Sequence, residues 1–420
     1  RDHPVVRGEL ALAWPVDRLF VKGDYLLEIA AGLNGWGRQE QASVRVTPAW
    51  EPNQVLSQLA LGTLPVSGAA LRGERLYVVQ SPSQGCVMPL DTTVEGDVGE
   101  PEAKMTLTVV GLEALPELRV LGQASASLPW PALGGEWEPV WPQPDLVVWV
   151  GGYVDYGWWG PGDPLILGGP IAAGGYWFWP VASYGGGQLV AFDVSRPSEP
   201  ELVSQLNLAT NGWWNFSRPV GTGSLIYLSH QALEPALTNN WRQRTYLDVI
   251  DYADPVSPTV RKPVNIPGTL QGISHAGELL YTRGYHWTSE GVASASEYLD
   301  ASAYDGVAAY WVASLALPEA WPNPLRVWGS HVLLGRTGNS GTEGQAGALE
   351  TWTLADTGEF TLEGSIKLEL PGKVLVARDD LLAVELTDRS VRLFDATNPA
   401  ALQPLGGALS PGCVFFELDQ

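Results

Sequence analysis

This sequence predicts an all-β fold assembled from a repeated unit, on three observations. Forty-eight glycines and 33 prolines in 420 residues, with no collagen-like period, punctuate the chain too often for long helices. No sustained 3.6-residue apolar periodicity runs through it. An apolar strand ending in Asp, followed by a polar turn with Pro and then a second strand, recurs along the chain. Hydrophobic residues at 45% against charged residues at 17% supply a core and exclude disorder.

The recurring element is clearest in "QLVAFDVSRPSEPELVSQLNL" (188–208), and returns in "LDVIDYADPVSPTVRKPVNI" (247–266) and "VRLFDATNPAALQPLGGAL" (391–409). A weaker copy, "ASVRVTPAWEPNQVLSQLAL" (42–61), has Thr47 near the Asp position. Asp193 and Asp251 lie 58 residues apart and Asp251 and Asp395 lie 144 apart, close to three units of about 48, a spacing typical of propellers and solenoids. Between these copies, short apolar strands follow a Gly or a charged turn: "KGDYLLEI", "RGERLYVV", "QPDLVVWV", "TGSLIYLS", "AGELLYTR", "GSHVLLGR" and "RDDLLAVE". Each unit therefore reads as strand a, tight turn, strand b, variable loop, strand c carrying the Asp, turn with Pro, and strand d. Four antiparallel strands per unit make a β-propeller blade.

Seven such rhythms predict one domain over 1–420 with seven blades. "HPVVRGELALAWP" reads as a strand d and "PGCVFFELDQ" as a further strand a, so the termini are expected to close the ring. Eight blades, the last incomplete or shared by the termini, is the alternative.

The Asp segments resemble the LVIVD-repeat β-propellers, whose unit runs from an apolar strand through Asp-Val-Ser-x-Pro-x-x-Pro into another strand. "LVAFDVSRPSEP" (189–200) matches almost residue for residue, 247–258 replaces Val-Ser by Tyr252 and Ala253, and 391–402 loses the second Pro. The resemblance implies a propeller and an extracellular or envelope setting, and carries no single activity.

Loops joining b to c and d to a open on one face of the disc. The long insertions, 81–105, 156–187, 231–244 and 284–306, are read as b–c loops on that face, where binding residues concentrate on a rigid scaffold. It also collects Trp36, Trp158, Trp159, Trp177, Trp179, Trp241 and Trp287 in b–c loops and Trp130, Trp137, Trp213, Trp214 and Trp321 in d–a connections. Tryptophan supplies large rigid apolar area and is over-represented at interface hot spots. The competing reading is that these rings pack on one another as a lid.

Charge narrows the partners. Forty-six acids against 24 bases, net −22, oppose nucleic acid and anionic lipid. Asp193, Asp251 and Asp395 occupy equivalent places in separate blades, so they are expected to cap strand c–d turns rather than converge on a substrate. Asp91, Glu95 and Asp97 form an oxygen-rich loop that lacks the alternating spacing of a Ca²⁺ site, so no cofactor is expected. Asp155 and Asp163 are the one carboxylate pair that a glycoside hydrolase reading would use. His230 and His286 follow strand b in adjacent blades without a third metal ligand, and are expected to be separate surface histidines. Motifs for nucleophilic or nucleotide chemistry are missing. Cys86 and Cys413 fall on one face and form a disulfide candidate, and "NFS" at 215–217 is a formal glycosylation sequon.

The sequence begins with Arg and holds two Met, so it is expected to be a processed, exported piece whose targeting signal is gone. Its expected role is a non-catalytic interaction or assembly module, binding a protein or its own copies through the Trp-rich loops. The alternative is a carbohydrate-binding or carbohydrate-active propeller.

Overall fold

The computed structural model describes residues 16–30, 41–51, 53–81, 103–128, 136–153, 171–173, 176–178, 187–208, 213–214, 216–237, 241–274, 277–317, 324–337, 346–378, 380–388 and 390–409. They form seven four-stranded antiparallel blades around an axis. Blade 1 is β1 (Arg18–Lys22), β2 (Tyr25–Ala30), β3 (Ala42–Pro48) and β4 (Ser57–Gly62). Blade 2 is β5 (Val66–Arg72), β6 (Arg75–Gln80), β7 (Ala103–Gly111) and β8 (Arg119–Leu128). Blade 3 joins β9 (Glu136–Gln143) and β10 (Leu146–Tyr153) to β13 (Gln188–Asp193) and β14 (Glu201–Asn207), with a separate hairpin, β11 (Ile171–Ala173) and β12 (Tyr176–Phe178), between them. Blade 4 is β16 (Val220–Thr222), β17 (Leu225–Pro235) and β18 (Trp241–Asp251), with an outer strand broken into β19 (Thr259–Val260) and β20 (Val264–Ile266); β15 (Trp213–Trp214) pairs with β17. Blade 5 is β21 (Thr269–Ile273), β22 (Leu279–Trp287), β23 (Ala293–Tyr304) and β24 (Ala309–Ala316). Blade 6 is β25 (Leu325–Trp328), β26 (His331–Thr337), β27 (Gly347–Leu354) and β28 (Phe360–Leu368). Blade 7 is β29 (Gly372–Arg378), β30 (Leu381–Leu386), β31 (Ser390–Asp395) and β32 (Gln403–Leu409).

Every strand b expected from the sequence is found as strand b, and the three repeat Asp residues end β13, β18 and β31, each a strand c. The tight a–b turns follow from glycine. Gly23, Gly73, Gly223 and Gly329 each open a two-residue hairpin loop at φ between 54° and 60°, a left-handed conformation that a β-carbon disfavours. Between strands c and d the register slips by one residue in six blades, a bulge that bends the outer strand.

Along strands b and c, apolar side chains point alternately to the preceding and the following blade. The core is accordingly a set of layers between blades rather than one central mass. Trp137 shows how tightly these layers close. It starts the innermost strand of blade 3 and is buried between blades 2 and 3, where its Nε1–H donates to Ser81 Oγ at 3.3 Å. Gly68 and Gly151 make the room, since a β-carbon on either would come within 2.7 Å of Trp137. The expectation that Trp137 belongs to the loop face is therefore corrected.

Two expected loop insertions are corrected as well. Residues 231–244 and 284–306 are mostly strand: β17 and β18 pair without a break from Leu225↔Asp251 to Pro235↔Trp241, and β22 and β23 pair from Leu279↔Ala303 to Trp287↔Ala293. Their outer halves are held by polar cross-strand pairs, so they lack the apolar alternation that marks a strand in sequence. In the 81–105 insertion β7 begins at Ala103, and the 156–187 insertion contains the β11–β12 hairpin. The two terminal segments expected to close the ring, 3–15 and 411–420, lie outside the described residues. Among the described residues no helix is long and apolar enough to cross a membrane.

Candidate functional site

The extended β17–β18 and β22–β23 hairpins stand side by side on the b–c face and form a crest. Glu234 organises the first, pairing with Arg242 at 3.5 Å and Arg244 at 3.0 Å and accepting from the Tyr246 hydroxyl. Arg283 Nε–H donates to Glu297 at 2.9 Å across the second. Its tip turns at Gly291, closed by Thr288 N–H to Val292 O at 2.8 Å. The tips are joined directly, because Leu237 N–H donates to Ser289 O at 2.9 Å. Two ribbons bonded at base and tip make a platform rather than two independent loops. On it Leu237, Val292, Tyr285 and Trp287 are exposed, from 83% for Leu237 to 37% for Trp287.

A buried polar assembly stands behind the second ribbon. Asp300 is fully buried and accepts from His286 Nε2–H at 3.0 Å and from the Ser314 hydroxyl, while Trp311 Nε1–H donates to Ser314 Oγ at 2.9 Å. A carboxylate only accepts, so Nε2 carries the proton and the His286 tautomer is fixed. The imidazole lies flat on Tyr298, with centroids 4.1 Å apart and planes at 9°. This assembly anchors His286, the residue between exposed Tyr285 and Trp287.

His230 makes an analogous pair with a different orientation. Its Nδ1–H donates to Asp248 Oδ2 at 2.6 Å, both side chains are buried, and the ring stacks on Tyr246. Burial raises the Asp248 pKa, against the opposing pull of His230. The two pairs do not converge. His230 lies on the same strand face as Leu228 and Ile226, which pack on blade 3, whereas Asp300 alternates with Leu299 and Ala301, which pack on blade 6, so Asp300 points to blade 4. The expectation of two surface histidines is corrected for His230. Among the described residues no three His, Cys, Asp or Glu side chains group as a metal site.

The repeat Asp residues sit on the opposite face. Asp193, Asp251 and Asp395 accept at Oδ1 from the backbone N–H two residues on, at 2.8, 2.9 and 2.8 Å. The Ser195 and Thr397 side chains, then their backbone N–H groups, hold the Asp193 and Asp395 carboxyls below the ordinary range. Asp305 builds a similar turn in blade 5, accepting from Val307 and Ala308 N–H; the "YDGV" stretch carried that signal unnoticed.

Of the twelve tryptophans expected on the loop face, Trp287 is exposed, Trp137 is buried, and Trp130 and Trp321 lie outside the described residues. Trp177, Trp213, Trp214 and Trp241 lie in β12, β15 and β18 rather than in loops. Trp36, Trp158, Trp159 and Trp179 lie outside the described residues, as do Cys86, Cys413, Asp91, Glu95, Asp97, Asp155 and Asp163. In the sequon, Ser217 is buried and its Oγ accepts from Ser229 N–H at 2.8 Å. Sequence reasoning missed Trp50 and Trp311, exposed by 69% and 64%. Trp50 lies in the c–d turn of blade 1 and Trp311 on the outer strand of blade 5, next to exposed Tyr310 and after the c–d turn that exposes Val307.

No family model matches this chain, and no curated protein does. The likeness to LVIVD repeats thus rests on the three motif copies. Among solved structures the chain is similar to Sqt1 from Chaetomium thermophilum, at 13% identity and a TM-score of 0.50, over 95% of this chain and 84% of that one. It is also similar to the computationally designed Ika8 protein, at 8% identity and a TM-score of 0.49 over 95% and 88% of the two chains. The β-propeller domain of the Trilobed protease from Pyrococcus furiosus, which has an open velcro topology, matches at 10% identity and 0.42 over 96% and 98%. At these identities the likeness concerns the fold alone.

Proposed function

We propose that this propeller is a non-catalytic protein-interaction module whose crest on blades 4 and 5 is the binding surface, in a protein exported from the cell. The crest carries the reading. A loop ordered only for folding would bury its large apolar side chains, whereas here bonded ribbons hold Leu237, Tyr285, Trp287 and Val292 out to solvent. Pre-ordering lowers the entropy lost on binding, and an aromatic ringed by polar pairs is the usual form of an interface hot spot. The net charge of −22 favours a partner surface that is apolar at its centre and basic at its rim.

Site-specific photo-crosslinking in the native host tests this. A photoreactive residue at position 287 is expected to yield a discrete protein adduct that weakens when Leu237 is replaced by Ser, while one at position 50 yields none. Equal labelling from both positions contradicts the assignment. Glycan binding that disappears in Trp287→Ala would support the carbohydrate alternative instead.

A further inference from the structure

We infer that β24, the outer strand of blade 5, joins two copies of this chain edge to edge about a two-fold axis. A propeller presents one outer strand per blade, and the unpaired N–H and C=O groups of such an edge are a template for pairing with another chain. Charge, proline or a break in the strand blunts it. Most outer strands here are blunted in this way. Arg119 stands in β8, Glu201 in β14, Glu363 and Lys367 in β28 and Pro404 in β32, while Pro263 lies in the break between β19 and β20. β4 has neither charge nor proline, but it is six residues long and the Ser57 hydroxyl ties it to the Pro116 carbonyl of blade 2.

β24 is the exception. Its eight residues, AYWVASLA, include no charge and no proline, and among the described residues it pairs with β23 alone. Tyr310 and Trp311 are 58% and 64% exposed on it, and Val307 in the turn before it is 82% exposed. The strand therefore combines an open backbone edge with the exposed apolar side chains that mark an interaction surface.

This edge fits its own copy. The register with β23 slips at Val312, which divides the strand into 309–311, with both aromatic rings, and 313–316, mostly Ala and Ser. An antiparallel two-fold sets the aromatic half of each copy against the small-residue half of the other, a contact that closes at two copies. Charge points the same way. A chain of net −22 meets its copy most readily where neither brings a charge to the contact, because at about 0.15 M salt charges more than ~8 Å away are largely screened. Two convex rims diverge on either side of one strand pair, so the contact is small and the dimer weak, with a Kd on the order of 10 µM. Antiparallel pairing also turns the second disc over, so the two b–c faces look in opposite directions.

Sedimentation velocity on the whole chain from about 1 to 100 µM, in about 0.15 M NaCl, tests this and is expected to show a monomer passing into a dimer. Tyr310→Lys, Ala316→Lys changes two exposed residues and places like charges along the paired edges. It should weaken the dimer by at least about tenfold with an unchanged Tm. Leu237→Ser, Trp287→Ala should leave the dimer intact, so failure of the edge and failure of the crest are separate results. A chain that stays monomeric throughout, a dimer of parental affinity in the lysine variant, or a dimer lost with the crest residues each overturns the inference.

Discussion

His286 Nε2 lies 3.0 Å from Asp300 Oδ2, a carboxylate with no exposed surface in the layer between blades 4 and 5. This contact ties the crest to the disc, because His286 sits between exposed Tyr285 and Trp287 while Asp300 is held by Ser314 on the next strand. Asp300→Ala would leave both donors without their acceptor. It is expected to lower unfolding free energy in urea by about 2–4 kcal/mol, the range for breaking a buried charged network. A loss under about 0.5 kcal/mol, typical of a surface change, would contradict the anchoring role.

Gly68 tests the packing between blades 2 and 3. A β-carbon there would stand 2.6 Å from the Trp137 carbonyl oxygen and 2.9 Å from the Trp149 ring. Backbone cannot swing aside as a flexible side chain can, so Gly68→Ala is expected to cost about 1–3 kcal/mol. Thermal unfolding indistinguishable from the parent would show that this layer is looser than described.

The c–d turns set an acid limb. Asp193 and Asp395 have folded pKa values below the ordinary 3.8, through Ser195 and Thr397. Their stabilisation is present above pH 3.8 and is lost as pH falls through the lower folded values, because the unfolded chain binds the protons first. Asp248 has the opposite sign, since burial raises its pKa and favours its protonated form in the folded protein. Replacing both Asp193 and Asp395 by Asn keeps the turn acceptors and should make the fall in Tm below about pH 4 shallower. Superimposable Tm profiles for variant and parent would contradict this.

The architecture was legible because strand b and the Asp turns have local causes. A glycine or charged pair turns the chain, an apolar run follows, and Asp caps its own backbone two residues later, so seven strands and three turns could be placed from residue order. The crest was less legible for a physical reason. The outer half of β17–β18 is held by Glu234 with Arg242, Arg244 and Tyr246, and that of β22–β23 by Arg283 with Glu297 and by His286 with Tyr298. Polar cross-strand pairs on a solvated ribbon read in sequence as loop. Trp311 stands on a strand, where nothing in the local sequence marks its exposure, and Trp137 reads locally as loop because the glycines that make its pocket are 14 and 69 residues away. Such pairings across distant positions are invisible without the fold.

The most direct test of the central claim is the affinity of the protein captured by the position 287 crosslink, measured by calorimetry against the parent and against Leu237→Ser, Trp287→Ala. The crest account predicts at least about tenfold weaker binding by the double variant with an unchanged Tm, as expected for loss of hot-spot residues. Affinity within about twofold of the parent, about 0.4 kcal/mol, would place the binding surface elsewhere on the propeller.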